Sequence, residues 1–523
     1  MLELIELIRL ININKLKSSG LWAILLEQGS MLEQLCAGIH AGQITSDTEA
    51  AESLYPGQTG GTKLYNLKER LKERLVNTAF LLEFQVPSFA NRQKAYFESN
   101  KQWSAANLFI SKGARLIGIE MLEDLLKRTI QFEFTELTLY AASMLRLHYG
   151  TILGDRQRYD QYRQLCQHYR RIWLMESETE ELYTHLASYY VNAKATRKDI
   201  ADTALLYYTQ IAPYLQESTA FRLHLCGRMI QLTVHTSQNN YLGTARLCED
   251  AIAFFRQKPF DSSLAFQVFY YQLVVCCIQL HQFERGKATI EAYQSLYEEG
   301  TFNWYKLQEM FFLLAQHTRH YENAVVISDH VRKHPKLVSQ PPQITEIWKI
   351  YEAYAYYLIL TGRAPASADA DGTRPFKIGK FMNEIPTYAK DKRGMNIPIL
   401  IIQILFSIQN RNYVQTIDRI DAIDKYCSRY LRQGDNFRSN CFIKLLLQIP
   451  EGSFHREAVL RRAEKYLKQL RSVPLEVAYQ AHEIEIIPYE DLWEMALDSL
   501  PNRSYKPVRK PLTTVRHPHA PPS

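Results

Sequence analysis

Turn-forming residues are scarce in this chain. Gly numbers 21 and Pro 20 in 523 residues, which is too little turn material for a fold of many short strands. No two of the eight Cys residues form a C-x-x-C pair, so neither a zinc ribbon nor a thioredoxin-type redox motif is present. The G-x-S-x-G, H-E-x-x-H and G-x-G-x-x-G patterns are also missing. These absences predict a binding protein with no catalytic residue, cofactor or metal. Acidic residues are absent from Leu500 to Ser523, where Arg503, Lys506, Arg509, Lys510 and Arg516 occur. Those five cations supply most of the net charge of +7, which leaves a nearly neutral body and argues against a broad nucleic-acid-binding face.

What is present is ordinary for a folded chain: 46% hydrophobic and 22% charged residues. Tyr is abundant at 33; its ring packs between helices while its hydroxyl reaches water. The first residues, MLELIELIRLININK, place Glu3, Glu6 and Arg9 inside the apolar stretch, which does not read as a signal peptide. Ser262 to Gln282 lacks formal charge but holds Gln267, Gln272, Gln279 and Gln282, a costly set of amides in lipid. It reads as a helix packed inside a protein. Cytoplasm, with reduced buried thiols and no membrane partner, is the expected location.

Helical periodicity dominates from about residue 100. Tyr241, Ala245, Cys248, Ile252 and Phe255 share one helical stripe, as do Gly286, Ile290, Tyr293 and Tyr297. Ala324, Ile327 and Val331 repeat the pattern after Tyr321, and Thr416, Ile420, Ile423, Cys427 and Tyr430 after Tyr413. The lead aromatics Tyr241, Phe283 and Tyr321 stand 42 and 38 residues apart. An aromatic-x-x-small turn recurs at Phe283/Gly286, Tyr321/Ala324 and Tyr413/Thr416. The aromatic plugs the hairpin, and the small residue admits the neighbouring helix. Trp348, Tyr351, Tyr354 and Ala355 read as matching first-helix positions.

Over roughly residues 100 to 440 these features resemble the tetratricopeptide repeat superfamily, with a longer period and without most of its first-helix glycines. The segments KDKRGMNIPILIIQILF, NFRSNCFIKLLLQIP and EIEIIPYEDLWEMAL resemble an uncharacterised helical-repeat family of Bacteroidota; that likeness implies no activity. The fold expected is all-α: a right-handed solenoid of about ten helical hairpins with an amino-terminal helical cap. The expected divisions are 1–95, a helical region; 96–361, a first repeat block; 362–375, a loop or linker; 376–499, a second block with a carboxyl-terminal cap; and 500–523, a disordered basic tail.

Each candidate for chemistry has a plainer reading. The GQTGGTK segment ending in Lys63 lacks Walker spacing and follows a helix, so it reads as a connector. His317, His320 and His330 lack a fourth ligand at ordinary spacing. Glu483, Glu485, Glu490, Asp491, Glu494 and Asp498 read as the solvated face of a capping helix. Ser46-x-x-Glu49 is a helix capping box. Two basic groups stand as candidate partner contacts: Lys68, Arg70, Lys72 and Arg74 on one helix, and Lys390, Lys392 and Arg393 in a loop. The expected function is an adaptor or scaffold binding a protein or peptide in an interior groove. The alternative is a regulator contacting nucleic acid through the helices near residues 43–81.

Overall fold

One turn geometry recurs along the chain and sets its architecture. Asn239, His281, Arg319 and Arg411 all adopt left-handed backbone, with φ of 53°, 53°, 61° and 54°. Each stands two residues before the next helix. The amide that follows returns to the carbonyl five residues back, at 2.9 Å in all four cases. This Schellman-type closure stops one helix and sends the next back antiparallel.

The structure is a computed structural model that describes residues 1–11, 26–27, 29–57, 61–79, 91–192, 197–365, 376–384, 396–430, 437–475 and 484–502. Lys390, Lys392 and Arg393, the centre of the GQTGGTK segment, most of the 362–375 stretch and the tail from 503 lie outside the described residues. The described residues are helical and include no strand. They divide into two compact units: Met1–Ile130 with Tyr140–Asp155, and Gln131–Leu139 with Arg156–Ser523.

The first unit begins with α1 (Leu2–Leu10), α2 (Met31–His40), α3 (Asp47–Leu54) and α4 (Gly61–Ala79). Leu4, Ile8, Leu35, Cys36, Leu71 and Leu75 form their shared core. The capping box is complete at α3: Ser46 Oγ accepts from the Glu49 amide, and the Glu49 carboxylate accepts from the Ser46 amide. Helices α5 (Asn91–Ser111), α6 (Arg115–Gln131) and most of α7 (Thr135–Thr151) follow.

The second unit continues with α8 (Arg156–Asn192), α9 (Arg197–Glu217), α10 (Phe221–Ser237) and α11 (Tyr241–Arg256). Next come α12 (Ser263–Gln279), α13 (Phe283–Gln294), α14 (Phe302–His317), α15 (Tyr321–Lys333) and α16 (Pro342–Leu360). The last are α17 (Ile378–Glu384), α18 (Asn396–Gln409), α19 (Tyr413–Tyr430), α20 (Phe437–Glu451), α21 (Arg456–Arg471) and α22 (Tyr489–Asp498). From α10 onwards each hairpin packs on the next. The second helices α11, α13, α15 and α19 lie against the following first helices α12, α14, α16 and α20. First helices also meet one another, α12 on α14, α14 on α16 and α16 on α18. This nearest-neighbour stacking is a helical-repeat solenoid.

The aromatic-x-x-small turns work as their chemistry suggests. Ala324 and Thr416 are buried. A Cβ on Gly286 would meet Leu314 Cδ2 at 2.5 Å and Cys277 Cβ at 3.1 Å, so glycine admits α14 here. The lead aromatics tie hairpins together: the Phe283 ring stacks on His320 at 3.5 Å, and the Tyr413 ring lies tilted against Phe454 at 4.2 Å. Ser263–Gln279, the stretch without formal charge, is an interior repeat helix, with Phe269, Tyr270, Leu273, Cys276 and Cys277 in the core.

Candidate functional site

A solenoid offers partners the face of its first helices that points away from the second helices. In this chain one end of the stack carries a further packed helix, and the middle leaves a cleft between first helices. Helix α22 packs against α18, α20 and α21. Its Tyr489 ring stacks on Phe442 of α20 at 4.4 Å and nearly parallel, and its hydroxyl meets Ser439 at 2.9 Å. Tyr489, Leu492, Trp493, Ala496 and Leu497 are buried on its apolar side. Helix α18 is consequently buried almost throughout, from Asn396 to Ile408.

Acidic residues on α22 meet arginines at the hairpin turns. Asp491 accepts from Arg319 Nη2 at 2.5 Å and Nε at 3.1 Å, and from the Tyr321 hydroxyl at 3.0 Å. Asp498 accepts from Arg363 at 2.6 Å and Arg456 at 3.1 Å. Just upstream, Glu485 is wholly buried against Arg438. The acidic run is therefore not a uniformly solvated face. Glu485 and Asp491 are interior groups with fixed cationic partners.

Between α12 and α14 lies an open cleft. Leu264, Gln267, Val268, Tyr271 and Gln272 of α12 project beside Asn303, Lys306 and Leu307 of α14, with Tyr293 and Tyr297 forming the end wall. Together they line a cleft of about 390 Å³. Leu264 is 59% exposed and Tyr271 37% exposed, whereas the opposite side of α12 is core. The wall is rigid: the Tyr293 hydroxyl donates to the Gln267 carbonyl at 2.9 Å and meets the Tyr297 hydroxyl at 2.5 Å. Burial, and then that hydroxyl pair, raises the Tyr293 phenol above its ordinary range, so it stays neutral. Lys306 pairs with the buried Glu309 carboxylate at 2.8 Å. The result is an apolar, aromatic trough with amides along it.

The basic helix predicted near the amino terminus is α4. Its lysines point to the protein's own carboxylates. Lys68 Nζ lies 2.8 Å from Asp47 of α3, and Lys72 pairs with Glu3 of α1. These bonds raise both lysine pKa values, the hydrogen bond to the carboxylate being the largest cause in each case. Arg70 is exposed, and Arg74 is partly buried with its carbonyl accepting from Thr78. The four cations thus include two that hold α1 and α3 onto α4.

The three histidines do separate jobs. His317 is buried, His320 stacks on Phe283, and His330 pairs with Glu299 at 2.9 Å. Among the described residues no group of three or more His, Cys, Asp or Glu is placed to hold a metal ion. Cys36, Cys166, Cys226, Cys248, Cys276, Cys277 and Cys441 are buried free thiols. Burial pushes Cys226 and Cys277 up to about 11 and Cys276 up to about 12, so these sulfurs are poor nucleophiles. Among the described residues no helix is long and apolar enough to cross a membrane.

Sequence reasoning missed the α12 trough and the Arg319, Arg363 and Arg456 set. Its available signal was the Leu264, Val268, Tyr271 stripe at helical spacing, which is indistinguishable from a core stripe until neighbours are known. No family model, curated protein or solved structure gives a significant match to this chain.

Proposed function

We propose that this chain is a protein-binding scaffold, and that its partner contributes an amphipathic helix to the open trough on α12 and α14. One observation carries the reading. Further along the chain the repeat helices already hold an amphipathic helix, the chain's own α22, through aromatic and aliphatic packing with polar contacts at its edges. Helix-in-groove recognition uses apolar anchors on one helical stripe. Leu264, Val268, Tyr271 and Leu307 offer the matching apolar surface.

The role proposed is binding rather than catalysis, in a repeat protein of tetratricopeptide-like build. The seven buried free thiols support a reducing compartment such as the cytoplasm. A nucleic-acid role through α3 and α4 is less favoured, because Lys68 and Lys72 are already neutralised by Asp47 and Glu3.

The test is affinity purification of the tagged full chain from its source cells, with and without nuclease, beside the double variant Leu264→Asp, Tyr271→Asp. A stoichiometric protein that survives nuclease and is lost with the variant supports the trough. A protein held equally by both chains, or released by nuclease, sinks this reading.

A further inference from the structure

One end of the first unit carries a second feature, independent of the trough. Helices α5, α6 and α7 run antiparallel in succession, so the α5/α6 turn and the carboxyl end of α7 fall at the same end. Three contacts fix this. Gly118 sits against Ile110, where a Cβ would come within 2.5 Å of the Ile110 side chain. The Tyr149 hydroxyl donates to Glu123 at 2.6 Å. His148 lies beside Arg115, whose charge adds to burial in lowering the histidine pKa.

At that end Leu108, Phe109, Leu116, Ile117, Ile152 and Leu153 are all exposed, and Leu116 is 92% exposed. Isolated exposed leucines are normal, but six large apolar side chains on adjoining turns are not. The residues are not spread along one helix stripe, as a helix-docking face would be. Leu108 and Phe109 lie in the last turn of α5, Leu116 and Ile117 in the first turn of α6, and Ile152 and Leu153 just past α7, so the apolar groups gather around helix ends. Segments 107–118 and 145–154 contain Lys112, Arg115 and Arg146 and no Asp or Glu. The nearest carboxylates are Glu120, Asp155 and the Tyr149-bonded Glu123.

We propose that this end of the first unit rests on an anionic lipid surface, with the apolar tips entering the headgroup boundary and Lys112 and Arg115 meeting lipid phosphates. Exposed apolar side chains around helix ends, flanked by cations, match the two attractions that hold peripheral proteins on such surfaces, apolar insertion and charge. A contact of this kind requires no membrane-crossing helix. It places the trough of the second unit on a protein held at a membrane surface, but does not depend on what the trough binds.

The experiment is flotation of the full chain with vesicles of phosphatidylcholine alone and of phosphatidylcholine mixed with phosphatidylglycerol. The chain is expected to float with the anionic vesicles. Leu116→Asp with Leu153→Asp is expected to lower partitioning by about tenfold or more. Lys112→Ala with Arg115→Ala is expected to weaken binding and flatten its salt dependence. Circular dichroism of both variants should match the parent, because every altered side chain is exposed. Failure to float overturns the proposal, as does flotation that neither variant changes. If the chain instead self-associates or captures a protein through Leu116 without floating, the patch is a protein interface and the lipid assignment is wrong.

Discussion

Replacing Arg438 tests how the carboxyl-terminal helix is held in place. Arg438 is 1% exposed and Glu485 is 0% exposed. The guanidinium uses all of its donors: Nε and Nη2 reach Glu485 at 3.0 and 2.7 Å, and Nη2 also reaches Glu490 at 2.6 Å. Nη1 donates to the Leu470 and Val473 carbonyls at 3.3 and 2.7 Å. The Tyr489 amide donates to Glu485 at 2.8 Å and joins the network to the start of α22. Burial works against the Arg438 charge, but the two carboxylates outweigh it and hold the group above its ordinary range. Burial likewise raises Glu485 against the pull of Arg438. Arg438→Met leaves a buried carboxylate without its counter-ion, a loss of about 3–5 kcal/mol. At 1.4 kcal/mol per tenfold, the segment Ile486–Leu500 should open about a hundredfold or more often. Hydrogen exchange of its amides reads this directly, without assuming two-state unfolding of a two-unit chain. The double variant Arg438→Met, Glu485→Met should recover part of the loss, because the buried ion pair is replaced by apolar groups of similar volume while Glu490 and the Leu470 and Val473 carbonyls still lose their donor. Exchange in Arg438→Met indistinguishable from the parent would mean that this network does not hold α22 in place.

Other consequences are equally direct. His224 is buried, stacks on Phe254 at 4.2 Å and is pushed down to about 4, chiefly by burial and then by Arg228 and Lys258. Its folded pKa lies below the unfolded value of 6.5, so its contribution is complete above that value and is lost as pH falls towards 4. Urea denaturation should show about 2 kcal/mol lost between roughly pH 7 and roughly pH 5 from this group, and His224→Phe should remove that component. Arg411 is exposed with φ of 54°; Arg411→Gly should stabilise by about 0.5–1 kcal/mol and Arg411→Val should destabilise, read from thermal midpoints. Gly286→Val should destabilise by about 1–3 kcal/mol, because Leu314 and Cys277 occupy the space its side chain needs. A stability equal to the parent would show that α13 and α14 can separate freely.

Legibility followed the range of the interactions. The capping box at Ser46 and Glu49 and the turn chemistry at Phe283/Gly286 lie within a few residues, so local pattern reveals them. The stacking of hairpins follows from amphipathic stripes such as Tyr241 to Phe255. The acidic run near the end misled because its alternation imitates a solvated face. Its partners lie far off in sequence: Arg438 is 47 residues from Glu485, and Arg319 is 172 from Asp491. Asp47 and Glu3, the carboxylates that pair with Lys68 and Lys72, lie 21 and 69 residues away and are equally beyond local pattern. The left-handed turn residues His281, Arg319 and Arg411 were hidden because glycine, the usual signal, is not used there. The docking of α22 on α18, α20 and α21 is likewise long-range, and no local pattern encodes it.

Whether the open trough on α12 and α14 receives a partner's helix is read by photocrosslinking in the source cells, with benzoylphenylalanine in place of Tyr271, or of Val414 on α19 as an exposed control. One dominant crosslinked protein is expected from position 271 and none from position 414, with the crosslinked peptides mapping to an amphipathic helical segment. Equal crosslinking from both positions, or attachment to nucleic acid, means that the trough is not a helix-binding site.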